Sequence, residues 1–115
     1  MTLQNYFKLH SIWSIMTKIH AEIGVLPIGT SSTSLSKYIA GGIESLKKID
    51  GIRYKVTPMG TILESHDIDK IFEASKAVMN AIFQMGVTRV ELILKIDERR
   101  DKDNSLEDKL RSIER

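Results

Sequence analysis

The chain contains no cysteine among its 115 residues, and it has only two prolines. The absence of cysteine excludes disulfides, a thiolate nucleophile and any cysteine-ligated metal site, and it is compatible with a cytoplasmic protein. Neither sign of charge dominates, since 17 basic and 15 acidic residues give a net charge of +2. Nucleic-acid binding usually needs a concentrated basic face, so we predict no nucleic-acid partner.

A long hydrophobic run is also missing, and this bears on the amino end. Residues 1–16 form an extension in which Lys8, His10 and several polar residues interrupt the apolar ones. Its apolar part is too broken for a signal peptide and too short for a membrane span, so we predict no membrane partner. Two interpretations remain open: residues read through from a false start, with Met16 the true initiator, or an ordered arm on a neighbouring subunit. Residues 17–115 are expected to form a single domain.

Alternating apolar residues predict strands at both ends of this domain. Between residues 17 and 28, Ile19, Ala21 and Ile23 share one face, whereas His20 and Glu22 share the other. The same alternation over residues 89–97 predicts a last strand, whose inward residues are Val90, Leu92, Leu94 and Ile96. A hairpin is predicted over residues 54–64, with Met59-Gly60 at its turn, where we expect the glycine to adopt a positive φ.

Helical spacing predicts helices over residues 35–48 and 68–84. Thr33 or Ser34 is the expected cap of the first helix, and Asp67 is the expected cap of the second. Gly86 provides a left-handed stop after the second helix. The buried stripe of that helix is expected to consist of Ile68, Ile71, Phe72, Ser75, Met79, Ile82 and Phe83.

The order of these elements predicts the fold class. Strand, helix, strand, strand, helix and strand, followed by a short helix over residues 105–113 whose expected cap is Ser105, indicate an α+β, ferredoxin-like βαββαβ sandwich. Right-handed crossovers put the first and third strands in the centre of a four-stranded antiparallel sheet. Both long helices then cover one face, and we expect the other face to carry no helix.

The uncovered face mixes charged and apolar residues. Glu22, Glu64 and Lys95 lie on it by parity, either as binding groups or as a cross-strand ladder of ion pairs. His20 is expected to be the cross-strand neighbour of a carboxylate. Cover by another subunit would explain the apolar members, which are Leu26, Met59, Ile62 and Ile93.

No arrangement typical of an enzyme or a metal centre is present. The three histidines, at positions 10, 20 and 66, lack the spacing of metal ligands. The serines that follow Gly29 and Thr30 are not framed by a Gly-x-Ser-x-Gly elbow. We therefore predict neither catalysis nor a metal site.

Four blocks of the sequence resemble those of a known family. They are Pro27-Ile28-Gly29-Thr30 with the serines after it, Ser36-Lys37-Tyr38, Pro58-Met59-Gly60-Thr61 with Glu64, and Lys95-Ile96-Asp97-x-Arg99-Arg100. In this order, over residues 18–113, they look like the signature of the thiamine-binding-protein-like family of the YkoF type. Ser65-His66 departs from the glycine that commonly follows the glutamate in that family.

The resemblance implies a non-catalytic protein that assembles into dimers or tetramers through its sheets, and we expect it to be cytoplasmic. It implies a ligand such as thiamine or its hydroxymethylpyrimidine part, with no cofactor. The alternative is a structural or regulatory assembly module without a ligand. The ligand-binding positions that the resemblance implies are Ile28, Gly29, Thr30, Ser34, Tyr38, Met59, Gly60, Thr61, Glu64, Lys95 and Asp97.

Overall fold

A computed structural model describes residues 17–114, so both interpretations of residues 1–16 lie outside the described part. Eight elements follow one another in the predicted order. The strands are β1 (Ile19–Ile28), β2 (Arg53–Thr57), β3 (Gly60–Ser65) and β4 (Arg89–Glu98). The helices are α1 (Ser36–Glu44), which continues into a 3₁₀ turn (Ser45–Lys48), α2 (Ile68–Phe83) and α3 (Leu106–Ile113).

The four strands form one antiparallel sheet in the order β2-β3-β1-β4. The first and third strands are central, as predicted, and the ferredoxin-like α+β fold is confirmed. β1 pairs with β3 only from Ile19 to Ile23, whereas it pairs with β4 over its full length. Pro27 therefore lies where β1 has a single neighbour, which is where a strand tolerates a residue without an N–H.

The core lies between the sheet and the two longer helices. Ile19, Ala21 and Ile23 of β1 and Leu63 of β3 are buried there, as the alternation predicts. The helical side supplies Leu46, Ile71, Ala74, Val78 and Ile82. Part of the stripe predicted for α2 is wrong: Phe72 and Phe83 are exposed, because the helix turns Ala74 and Val78 inward instead.

The helix caps are confirmed in two helices and wrong in one. The Asp67 carboxylate accepts a hydrogen bond from the Asp69 N–H, and Ser105 with Asp108 forms a capping box at the start of α3. At α1, neither Thr33 nor Ser34 caps the helix. Leu35 occupies that position without a side-chain hydrogen bond, and the Ser32 hydroxyl accepts from the Ser34 N–H instead.

The glycines of the molecule allow close packing as well as turns. Gly86 has the predicted positive φ of 93° after α2. Gly60 does not, since its φ is outside the positive range; a Cβ there would instead lie 3.0 Å from the Ile23 carbonyl oxygen. Gly42 of α1 packs closely on α2, because a Cβ there would lie 3.0 Å from a methyl group of Val78. The turn between β2 and β3 therefore needs glycine for strand contact.

The short helix α3 contradicts the expectation of a sheet face free of helices. Its first residues contact β2 and β3 through Arg53 and Glu64, and its Lys109 contacts Asp97 of β4. α3 thus covers one end of the face opposite α1 and α2. Among residues 17–114, no helix is long and apolar enough to cross a membrane.

Candidate functional site

Cross-strand pairing arranges the face under α3 in rows. The first row runs across the sheet from Arg53 through Glu64 and His20 to Asp97. The second row runs in the same direction through Lys55, Ile62, Glu22 and Lys95. These residues share a face because side chains alternate along a strand, as the sequence predicts. The two rows differ in how far their polar groups are already satisfied.

The first row is a buried and satisfied polar network centred on Glu64. This carboxylate is only 7% exposed, and its Oε2 lies 2.8 Å from His20 Nε2. The same oxygen accepts a hydrogen bond of 3.0 Å from the Leu106 N–H at the start of α3. The other oxygen, Oε1, accepts from Arg53 Nε at 3.0 Å. Both oxygens of Glu64 are therefore occupied within the subunit, and a helix N-terminus adds to the stabilisation of its negative charge.

Two further ion pairs fasten α3 to this row. Both terminal nitrogens of Arg53 donate hydrogen bonds to the Glu107 carboxylate, at 2.8 and 2.9 Å. At the other edge, Lys109 Nζ lies 2.6 Å from Asp97 Oδ2. By contrast, Leu110 and Ile113 of the same helix are exposed. α3 is thus held on the sheet chiefly by polar contacts, with the half-buried Leu106 as its apolar contact.

These ion pairs shift the pKa values of the residues that form them. The hydrogen bond from Arg53 lowers the pKa of Glu107 to about 2, and the same bond raises the pKa of Arg53. The hydrogen bond and charge of Lys109 lower the pKa of Asp97, against the smaller opposing effect of burial. Both carboxylates are therefore ionised at neutral pH.

A pocket of about 220 Å³ lies beside α3 and over the second row. Its floor is formed by β1, β3 and β4, and its rim by Leu106 and Lys109. The remaining lining residues are His20, Ala21, Glu22, Ile62, Lys95 and Asp97. Glu22 and Lys95 stand opposite each other on β1 and β4, and neither has a hydrogen-bond or ion-pair partner in the part of the chain that the structure describes. The pocket therefore offers a free carboxylate, a free ammonium and an apolar side chain within one small space.

The residues implied by the family resemblance fall into three places. Lys95 and Asp97 line the pocket, and Glu64 lies in the adjoining first row. Met59 and Gly60 lie at the hairpin turn, where Met59 is 89% exposed. Thr61 follows them but is buried against the helices.

The other predicted residues lie far from the pocket. Ile28 ends β1, and Gly29, Thr30 and Ser34 follow in the loop before α1, which carries Tyr38. Eight strand residues at about 3.4 Å each separate Ile28 from His20 by roughly 27 Å. A single subunit therefore does not bring Ile28, Gly29 or Thr30 to the same small ligand as Asp97.

Six of the eight residues that line the pocket, among them Glu22, Ile62 and Lys109, were absent from the binding set predicted from the sequence. Glu22 and Ile62 carried a signal, because parity placed both on this face, but nothing distinguished Glu22 from Glu64. No sequence signal indicated Lys109. The location of α3 depends on contacts between residues more than 40 positions apart, such as Leu106 with Glu64. Within residues 17–114, no group of three or more His, Asp or Glu side chains could hold a metal ion.

Comparison with known sequences places the chain in a family. The profile of the family described as thiamine-binding protein matches residues 21–114. A UPF0045 protein of Methanothermobacter thermautotrophicus is 50% identical over 95 residues, which cover 83% of this chain and 95% of the relative. The UPF0045 protein YqgV of Bacillus subtilis is 36% identical, with 81% and 91% covered.

Solved structures agree with this assignment. A hypothetical protein of Methanocaldococcus jannaschii is 42% identical and superposes with a TM-score of 0.76, covering 85% of this chain and 97% of that one. A putative thiamine biosynthesis/salvage protein of Thermotoga maritima is 25% identical, with a TM-score of 0.69 and coverages of 84% and 99%. The four-block resemblance is therefore confirmed, and the chain belongs to the thiamine-binding protein family.

Proposed function

We propose that this protein binds thiamine or its hydroxymethylpyrimidine part, without catalysing a reaction and without a cofactor. Membership of a family described as thiamine-binding supports a small-molecule ligand. The observation that carries the proposal is the free pair of Glu22 and Lys95 beside Ile62 in the 220 Å³ pocket. The absence of cysteine supports a cytoplasmic location.

The chemistry of the pocket suits an aminopyrimidine. The Glu22 carboxylate can accept hydrogen bonds from the exocyclic amine, and the Lys95 ammonium can donate to a ring nitrogen or to the hydroxymethyl oxygen. Ile62 offers an apolar surface to the ring. The volume is below the roughly 300–1,000 Å³ of pockets for drug-sized ligands, so a single ring fits it better than two rings.

We assign different roles to the two acids of the site. Glu22 is the acid that contacts the ligand, since its oxygens have no partner within residues 17–114. Glu64, the anchor expected from the family resemblance, supports the site by holding His20, Arg53 and the Leu106 N–H in place. Lys95 and Asp97 keep their proposed contact with the ligand.

We propose further that the protein is a homodimer or homotetramer that pairs through the uncovered part of the sheet. The half of the face that α3 leaves free carries exposed apolar residues, including Leu26 and Ile93. A two-fold axis near Gly24, the middle of β1, would bring Ile28, Gly29 and Thr30 of one copy towards the pocket of the other. Assembly would thereby reunite the two groups of predicted binding residues that one subunit keeps apart.

The same exposed residues favour a second candidate, an assembly module without a ligand. Titration calorimetry with thiamine and with hydroxymethylpyrimidine separates the two candidates. We expect both compounds to bind the parent protein, and the Glu22→Gln variant to bind at least about tenfold more weakly, since hydrogen bonds to charged groups contribute ~1.5–3 kcal/mol.

The matched control is Glu73→Gln, which neutralises an exposed acid on α2, away from the pocket. It should bind both compounds as the parent does. Absence of heat and of a thermal shift at millimolar concentrations of both compounds would contradict ligand binding. A monomer by light scattering would contradict the proposed assembly and the second candidate together.

A further inference from the structure

The ion pair between Lys109 and Asp97 stands between two hollows of the surface. The inner pocket of 220 Å³ lies on one side of the pair, and a more open cleft of about 770 Å³ lies on the other. Asp97 and Lys109 are the two residues that line both. The rest of the outer cleft comes from the loop after β4 and from α3, namely Glu98, Arg99, Arg100, Asp101, Asn104, Ser112 and Ile113. The pair is therefore the wall that the two hollows share.

This wall is one that a ligand can displace. The Asp97 side chain is 62% exposed and that of Lys109 is 35% exposed, so water competes for both charges. Exposed ion pairs contribute little net stability, because they gain little Coulomb energy and immobilise a long side chain. Lys109 also sits on a short helix whose Leu110 and Ile113 are exposed, so that few apolar contacts hold it in place.

The other charged side chains near the pair either have partners of their own or line the inner pocket. Arg99, at the outer side, pairs with Asp101 at 2.6 Å. His20, at the inner side, contacts Glu64. Removing the ammonium of Lys109 from Asp97 would thus leave a carboxylate without its closest counter-ion, at the junction of the two hollows.

We propose that Lys109 is a specificity-determining gate that selects ligands by length and charge, an inference that rests on the proposed function. With the ion pair closed, the inner pocket accepts a one-ring neutral pyrimidine. With the pair open, the pocket and the cleft join, and the second, cationic ring of a longer ligand takes the place of the ammonium beside Asp97. A two-ring cation must break the pair, whereas a one-ring ligand leaves it intact.

Truncation of the lysine tests the gate. In a Lys109→Met variant, thiamine no longer competes with a tethered cation, and its affinity should rise about three- to tenfold. The affinity for hydroxymethylpyrimidine at neutral pH should change less than about twofold. Arg111→Met is the matched control, because it removes one positive charge from the same helix at a residue that lines neither hollow.

Each outcome of this calorimetric comparison decides the proposal. A selective gain for thiamine in Lys109→Met, absent in Arg111→Met, supports the gate. Equal gains for both compounds, no change, or weaker thiamine binding would overturn it while leaving the proposed function intact. If the parent and the variant both fail to bind either compound, the proposed function fails and the gate falls with it.

Discussion

The two faces of the sheet bury side chains by different means. On the helix side, Ile19 and Leu63 are inaccessible because apolar side chains of α1 and α2 pack on them. On the other side, His20 and Glu64 are almost equally buried, but under a short helix that polar contacts hold in place. One row further along, Glu22 is exposed and has no hydrogen-bond or ion-pair partner among residues 17–114. Under the proposed function, the buried acid of the second face supports the site, whereas the exposed acid recognises the ligand.

The largest expected effect is on the helix-covered face. Leu63→Ala removes a side chain with 0% exposure and should lower the free energy of unfolding by about 2–5 kcal/mol, since a cavity remains. Leu110→Ala is the matched control on α3, which lies over the opposite face; the leucine there is 50% exposed, and its loss should cost less than about 1 kcal/mol. Denaturant unfolding of both variants measures the difference. Equal losses would show that the two faces are buried alike in the assembled protein.

A smaller effect is expected within the second face. Glu64→Gln keeps the volume of the side chain but turns an NH₂ group towards buried donors, and the loss should be about 1–3 kcal/mol. Glu22→Gln is the same substitution one row away, where no partner is lost among residues 17–114, and the change should be within about 0.5 kcal/mol. Chemical denaturation compares them. If Glu22→Gln were as costly as Glu64→Gln, the distinction between a supporting acid and a free acid would be wrong.

The smallest expected effect concerns the polar attachment of α3 at low pH. Arg53 depresses the pKa of Glu107 from an ordinary 4.5 to about 2, so the Arg53–Glu107 pair stabilises the folded state above pH 4.5. This contribution is lost as the pH falls from about 4.5 to about 2, while protonation of Asp97 weakens the contact with Lys109 in the same direction. The pH dependence of the Glu107 carboxyl carbon resonance measures the pKa.

Arg53→Met provides the control for this titration. The pKa of Glu107 should return towards 4.5 in the variant, because the hydrogen bond from the Arg53 guanidinium is the largest cause of its depression. A Glu107 pKa near 4.5 in the parent protein would contradict the attachment of α3 by this pair. The packing of the helix-covered face should show no comparable dependence on pH, since apolar contacts hold it together.

Most of the fold was predictable because it depends on local patterns. The alternation in β1 and β4 identified the buried face. Asp67 and Ser105 indicated where α2 and α3 begin, because both are residue types that cap helices. The positive φ predicted for Gly60 was wrong, because the sequence does not distinguish a turn glycine with a positive φ from one that allows close contact with a neighbouring strand. The stripe of α2 was partly misassigned since Phe72 is apolar but faces outward.

The site was less predictable than the fold. Glu22 and Glu64 are identical residues on the same face, and what distinguishes them within residues 17–114 is that Glu64 contacts α3 and its neighbouring strands whereas Glu22 has no partner. Those contacts join residues distant in sequence, and no local pattern encodes them. The family resemblance named Lys95 and Asp97, which line the pocket, but it could not show that Ile28 lies at the opposite end of β1, with Thr30 just beyond it.

A crystal structure of the protein with hydroxymethylpyrimidine tests the central claim most directly. We predict that the ring lies over the second row, with its amine within hydrogen-bond distance of Glu22 and its edge near Lys95, while Glu64 keeps its bonds to His20, Arg53 and the Leu106 N–H. A ring bound to Thr30 and Tyr38 of one subunit, away from Glu22, would contradict the assignment of the pocket. So would a ring that displaces His20 from Glu64.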